Sequence, residues 1–267
     1  MDEIRVSNWN ELQENLFAGS WQPEICRFRS PFAFRGISQS ANGLQTSLAR
    51  LEGDFAAMEP HLLRNFRKYA RRSIPASEDS IWYWLSLGKH FGLPTRLLDW
   101  SFSPFVALHF ATDNIALFNQ DSEIWMVDFR RVHEYLPEQL GSLLEEEGSD
   151  VCTVEMLASV ACSVEELQKL SQDDYALFFE PPSLDERITN QYALFSSMSS
   201  PKAEMEVWLN EHPETAKRII LPAGMKWEVR DKLDQANITE RVLFPGLDGL
   251  SRWLARQYTP RKNTMDE

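Results

Sequence analysis

Two short stretches place charged and hydroxyl side chains in apolar company, where they can do chemistry. In LPTRLLDWS, Arg96 and Asp99 stand three residues apart among leucine, tryptophan and proline. An unpaired charge in such surroundings is costly, so each needs a partner or a ligand. Either the two pair with one another and pin the turn, or they face a bound molecule. Ser103 precedes Pro104, an N-cap and first-turn pair that opens a helix; Ser101 has no such role and is the better hydroxyl candidate for a ligand contact. The second stretch is Phe34, Arg35, Gly36. Arg35 ends an aromatic-backed strand and carries a planar fork that suits a pair of phosphate oxygens. Gly36 beside it lets a backbone or a ligand approach closely. An ordinary ion pair accounts for Arg35 as well at this level.

The motifs that are missing prune the field. There is no GxGxxG, GxxxxGK[ST], HExxH or GxSxG in the chain, which argues against kinases, P-loop enzymes, zinc hydrolases and α/β-hydrolases. Five histidines and three cysteines show no metal-ligand spacing, so no metal is expected. Cys26, Cys152 and Cys162 are too few and too far apart for a disulfide framework.

The elements that hold these residues follow from periodicity and caps. The segment CRFRSPFAFRG alternates as a strand, with Phe28, Phe32 and Phe34 on one side and Arg27, Arg29 and Arg35 on the other. Pro31 places it at an edge or a bulge. Helices are predicted over 8–17 and 55–72, and a third starts at a Ser80 cap and stops at Gly92. The run PFVALHFA is apolar all round, so its helix is core. Strands are expected at EIWMVDF, QYALFS, RIILP and RVLFP, with a capping box at Ser163 and Glu166 and a closing helix near 247–257. Long helices crossing short, separated strands indicate α+β.

Composition sets the outer bounds. The 267 residues include nine Trp and sixteen Phe, enough for a sizeable core and far too many for a disordered chain. No linker divides the chain, so one domain is expected, with a core of about 28–250, a helical extension over 1–20 and a tail at 259–267. No apolar run approaches the roughly 20 residues needed to span a bilayer, and the N-terminus lacks the layout of a signal peptide, so a cytoplasmic protein with no membrane contact is expected. A net charge of −13 disfavours non-specific nucleic-acid coating. One basic face exists, with Arg64, Lys68 and Arg71 sharing a side and Arg67 beside them. It is either a solvated face or a weak nucleic-acid contact. The acidic stretch 144–150 has no assigned role.

The motifs FRG, WYWLSLGKHFGLPTRLLDWSFSPFVALHFA, RITNQYALFS and LFPGLDGL together resemble the FRG-domain family, named for Phe-Arg-Gly, over roughly Phe28 to Leu250. Lys89 and Phe91 depart from it, standing where the family usually shows Gln and His. The family has been described as of unknown function, but its motif order is similar to that of mono-ADP-ribosyltransferases. That likeness implies a split mixed or antiparallel sheet with helical insertions, NAD as substrate, and a macromolecular acceptor, protein or nucleic acid. It implies NAD-binding roles for Arg35, Gly36, Arg96, Trp100 and Ser101, and catalytic roles for Arg35, Asp99 and Gln191. Gln191 takes the place of the usual Glu, and Asp185, Glu186 or Asp99 would have to supply the missing carboxylate. A toxin or phage-defence effector with a neutralising protein partner fits that reading. A non-catalytic nucleotide- or protein-binding module is the alternative, and a nuclease or other hydrolase, suggested by Asp99, His90 and the basic helix, is a third.

Overall fold

The computed structural model describes residues 1–39, 43–51, 53–72 and 79–260. Its ten strands are β1 (Asp2–Arg5), β2 (Trp21–Gln22), β3 (Arg27–Phe28), β4 (Phe32–Ile37), β5 (Leu98–Ser101), β6 (Ser122–Asp128), β7 (Cys152–Thr153), β8 (Ala176–Glu180), β9 (Ala193–Met198) and β10 (Ala216–Leu221). Eight of them form one sheet in the order β1-β10-β6-β4-β5-β9-β8-β7, while β2 and β3 form a separate hairpin. The sheet is mixed. Its central pairs are antiparallel, and only the edge strands β1 and β7 run parallel to their neighbours. The class is mixed α/β, with one continuous sheet rather than two separate ones.

The sheet nevertheless has a weak seam. Strands β4 and β5 share a single register pair, Phe34 with Ser101, whereas β4 pairs with β6 from Phe32 to Ile37 and β5 pairs with β9 over its full length. Beyond Phe34 the two halves diverge. Side chains alternate across a sheet, so Phe34, Gly36, Asp99, Ser101 and Phe195 share one face by register. On that face the first half of the sheet packs against helices Trp9–Phe17, Pro104–Ala111 and Lys226–Gln235, through Leu12, Leu108 and Val229. The second half packs against helix Ile81–His90 and its neighbours, through Trp82, Leu85 and Phe179. The space between the two helical groups is a cleft above the seam. The opposite face is sealed by a core that includes Trp100, Trp125, Phe178 and Trp208.

Several helices start where expected. Ser80 accepts from the Tyr83 amide, and Pro104 occupies the first turn of its helix. Ser103 sits at that N-cap but its side chain makes no cap bond. Ser163 caps Val164–Gln168, with Glu166 reaching back to the Cys162 amide rather than to Ser163. Three expectations are corrected. The segment RVLFP is a helix, Glu240–Leu243, because its apolar residues serve a short turn tied down at Leu243 rather than a ladder. The stretch around Pro31 is two strands, with Phe28 exposed and Phe32 and Phe34 buried; the proline cannot donate to a ladder and interrupts it. The N-terminal segment carries the expected helix, Trp9–Phe17, but β1 ahead of it extends the main sheet beside β10. Residues 261–267 of the expected tail lie outside the described residues. Among the described residues, no helix is long and apolar enough to cross a membrane.

Candidate functional site

The cleft above the seam encloses about 830 Å³, within the range of roughly 300–1,000 Å³ usual for small-molecule sites. Phe34, Arg35 and Gly36 each have a separate task there. Phe34 is buried in the core beneath helix Pro104–Ala111. Gly36 lies against the same helix so closely that a Cβ would stand 1.8 Å from the Ala107 carbonyl oxygen. The close approach that glycine permits here is therefore of backbone to backbone. Arg35 reaches across the seam, and its Nη1 donates to the Asp99 carbonyl at 2.6 Å. Its Nε is buried without a partner among the described residues, and removal from water pulls its pKa down, opposed by Asp99 and reinforced by Arg50. A guanidinium stays protonated under such shifts. It is thus a cation held partly dry with donor capacity left over.

Asp99 lies between two cations. Lys89 Nζ stands 2.7 Å from its Oδ2 and Arg35 Nη1 3.9 Å from the same oxygen. Its side chain is 56% exposed while that of Lys89 is 12% exposed, so the carboxylate faces the opening and the ammonium lies behind it. Arg50 and Arg187 also line the cleft. Arg187 is steadied over the Phe244 ring at 5.0 Å. Beside Lys89, His90 Nε2 meets Asp185 Oδ2 at 2.6 Å, and Asp185 also accepts from the Arg187 and Ile188 amides as a helix N-cap. Among the described residues, four cations (Arg35, Arg50, Lys89, Arg187) then face two carboxylates (Asp99, Asp113) in the cleft lining. This local positive excess, in a chain of net charge −13, favours an anionic ligand.

Arg35, Gly36, Asp99, Trp100, Ser101 and Gln191 all border this one cleft, so residues up to 156 positions apart in the sequence are brought together. Their side chains are not equally available. Trp100 is buried, donating Nε1 to Ser196 Oγ at 2.8 Å and packing edge-on against Phe178. The Ser101 hydroxyl donates to the Gln191 carbonyl at 2.7 Å and accepts from the Ser103 amide at 2.9 Å. It thus ties β5 to the start of the core helix. Gln191 does not enter a strand; it caps helix Glu186–Asn190, and its Nε2 donates to the Leu243 carbonyl at 2.9 Å. Glu186 lies outside the lining.

Arg96 is not at the cleft and does not pair with Asp99. It is buried against Glu59, with Nε donating to both carboxylate oxygens at 2.9 Å and Nη1 donating to the Ser199 carbonyl at 3.1 Å. Burial demanded a partner for Arg96, and the partner comes from helix Phe55–Ala70, 37 residues away. Sequence reading had no role for Arg50 and Arg187, and treated Lys89 only as a departure from the family pattern. The signal for Lys89 was present: a lysine beside His90 in the last turn of a largely apolar helix, brought next to Asp99. For Arg50, Arg187 and Asp113 no local pattern exists. Among the described residues, no group of three or more His, Cys, Asp or Glu is placed to hold a metal ion.

A mixed α/β protein with a cationic cleft at a sheet seam is the class that fold and site define. Residues 30–120 match the family model of the FRG domain, a segment that supplies β4, β5, helix Ile81–His90 and the core helix, and hence Arg35, Lys89 and Asp99. Arg187 and Gln191 lie outside it. No curated protein and no solved structure gives a significant match to the chain.

Proposed function

We propose that the cleft binds NAD and that the protein transfers ADP-ribose from it to a macromolecular acceptor. The observation that carries this reading is the meeting of four cations, one of them the partly dry Arg35, around a cavity large enough for a nucleotide. The similarity in motif order to mono-ADP-ribosyltransferases suggests the reaction class, although Gln191 caps a helix instead of entering a strand. The pyrophosphate lies against Arg35, with Arg50, Lys89 and Arg187 within the same lining. In the reaction the C1′–N bond to nicotinamide breaks and its electron pair leaves with nicotinamide. C1′ takes on oxocarbenium character, and a lone pair of the acceptor closes the new bond as the acceptor proton departs to solvent or a carboxylate. Asp99, exposed at the cleft, is the carboxylate that offsets the developing charge. Gln191 supplies no charge, and its amide is spent on Leu243, so its side chain holds the cleft wall.

Purified protein incubated with NAD and a cell lysate is expected to release nicotinamide, with an ADP-ribose mass increment on protein or RNA. Arg35→Ala should weaken NAD binding by about tenfold to a hundredfold, the loss of one or two charge-assisted hydrogen bonds. Absence of nicotinamide release under every acceptor condition, with NAD binding retained, would move the conclusion to a second reading: a non-catalytic nucleotide-binding module. The tethered Gln191 amide favours that reading, because no glutamate occupies its position.

A further inference from the structure

A second concavity of about 480 Å³ lies on helix Phe55–Ala70, and it shares no lining residue with the cleft. Its floor is aliphatic, formed by Leu63, Ile81, Leu85 and Val164, and its wall carries Arg64, Arg67, Lys68 and Arg71. Those four recur at i, i+3, i+4 and i+7 along one side of the helix, a row about 10 Å long at the usual rise per residue. Asp79 already engages part of the row. Arg67 Nη2 meets Asp79 Oδ1 at 2.6 Å and Arg71 Nη2 meets Oδ2 at 3.1 Å; the Trp84 indole N–H first, then Arg67 and Arg71, hold the Asp79 carboxyl below its ordinary range. A carboxylate therefore fits this row. Arg64 and Lys68 have no carboxylate within ion-pair distance among the described residues and are exposed. Among the described residues the groove's own acids change little, since Glu59 is buried against Arg96 and Glu165 alone remains at the rim.

We propose that this groove docks an acidic amphipathic helix of a partner protein, its leucine-type side chains on the aliphatic floor and its carboxylates along the Arg64 to Arg71 row. Charge complementarity selects an acidic occupant, and the floor selects a peptide over a nucleic acid. Single strands bind by stacking bases on aromatic rings along a basic track, but among the described residues no aromatic side chain lines this groove, and Trp84 beneath it is buried. Apolar anchors at i, i+3, i+4 and i+7 are the pattern that lays a helix into such a groove, and acids flanking that stripe would meet the cationic wall.

The test uses the full chain and three fluorescent probes read by anisotropy. They are an 18-residue peptide of leucine and glutamate in that helical pattern, its twin with lysine for glutamate, and an 18-nucleotide single strand of thymidines. The glutamate peptide is expected to bind, more weakly as salt rises, and the lysine twin to show no binding. Arg64→Glu with Lys68→Glu, both at exposed positions, should weaken the glutamate peptide about tenfold or more while leaving the unfolding temperature in place. Hydrogen exchange should slow across Phe55–Ala70 and Val164–Gln168 when that peptide is bound. No binding of the glutamate peptide, or binding that the double variant leaves unchanged, overturns the proposal. So does binding of the oligonucleotide that the same variant abolishes while the peptide goes unbound, which would make the row a nucleic-acid contact.

Discussion

Two arginines, Arg35 on β4 and Arg96 in the turn that leads into β5, illustrate two uses of a buried charge. Arg96 and Glu59 are sealed together, 5% and 4% exposed, and the guanidinium is saturated by both carboxylate oxygens and the Ser199 carbonyl. Arg35 sits at the seam with one donor on a backbone carbonyl, an unpartnered Nε and a shared, half-exposed carboxylate beside it. The first arrangement has nothing left to offer a ligand. The second retains donors and an approach from solvent. Charge alone does not mark a site; charge left incompletely satisfied next to an opening does.

The largest effect expected from this contrast is on the fold, at Arg96. Replacing it with methionine strands the Glu59 carboxylate in the core, and breaking a buried pair by removing one partner costs about 3–5 kcal/mol. Chemical denaturation of Arg96→Met should show a loss of that order, and the double variant Arg96→Met with Glu59→Leu should recover much of it. Nucleotide binding by the folded fraction should be unaffected in both. A loss under about 1 kcal/mol for the single variant would break the contrast, because Arg96 would then be no more structural than Arg35. Smaller in free energy is the Arg35→Ala effect on NAD binding given above, and that substitution should leave stability nearly unchanged.

The sequence was readable to the extent that each feature was local. Caps at Ser80 and Ser163, the proline at the head of the core helix and a strand at EIWMVDF are written in a few neighbouring residues, and the structure repeats them, although β6 is buried on both faces instead of alternating. Arg35 and Asp99 stood out by their charge in apolar surroundings, and the resemblance that added Gln191 also lies in contiguous motifs. What could not be read is what depends on long-range contact. Glu59 as the partner of Arg96, the use of the Ser101 hydroxyl on Gln191, and the entry of Arg50 and Arg187 into one cleft are products of sheet order, in which β5 lies between β4 and β9. RVLFP has a strand-like composition, but it folds as the helix Glu240–Leu243. The tether from Gln191 to Leu243 and that from Asn190 to Val242 hold it as a helical turn instead.

Two histidines extend the contrast to pH. His109 is fully buried and accepts from Arg230 Nη2 at 3.0 Å; burial first and the Arg230 charge second push its pKa down to about 3. His133 is placed between the Asp150 carbonyl and the Phe178 amide at 2.9 Å each, and burial lowers its pKa to about 4. Because Phe178 N–H donates to Nε2, the proton sits on Nδ1 and the ring is neutral. Unfolded, both rings take up a proton below about 6.5. Between that value and about 4 the unfolded chain binds more protons than the folded one, so stability rises with pH and is lost as pH falls, by about 1.4 kcal/mol per pH unit for each histidine. His133→Gln keeps an acceptor for the Phe178 amide without a titrating group. Its stability measured from pH 7 to pH 4.5 should fall with about that much less slope per pH unit than the parent chain. An unchanged slope would remove His133 from the acid response of the fold.

The smallest effect on stability, and the sharpest on the reading of the cleft, belongs to Lys89→Gln. Its partner Asp99 is 56% exposed, and an ion pair with one end in water contributes about 0–1 kcal/mol, so denaturation should barely register the change. The consequences for binding and for chemistry pull in opposite directions. The cleft loses one of its four cations, which weakens the hold on a pyrophosphate and raises KM for NAD. At the same time Asp99 loses the ammonium 2.7 Å from its oxygen, leaving more of its charge for a developing ribosyl cation. Nicotinamide release is therefore expected to show a raised KM with kcat maintained or increased. A fall in kcat at unchanged KM would place Lys89, rather than Asp99, beside the reacting carbon. Unchanged values of both would make the Lys89 and Asp99 pair a local brace of the same kind as Arg96 and Glu59, only wetter, and would leave Arg35, Arg50 and Arg187 as the cations that hold the ligand.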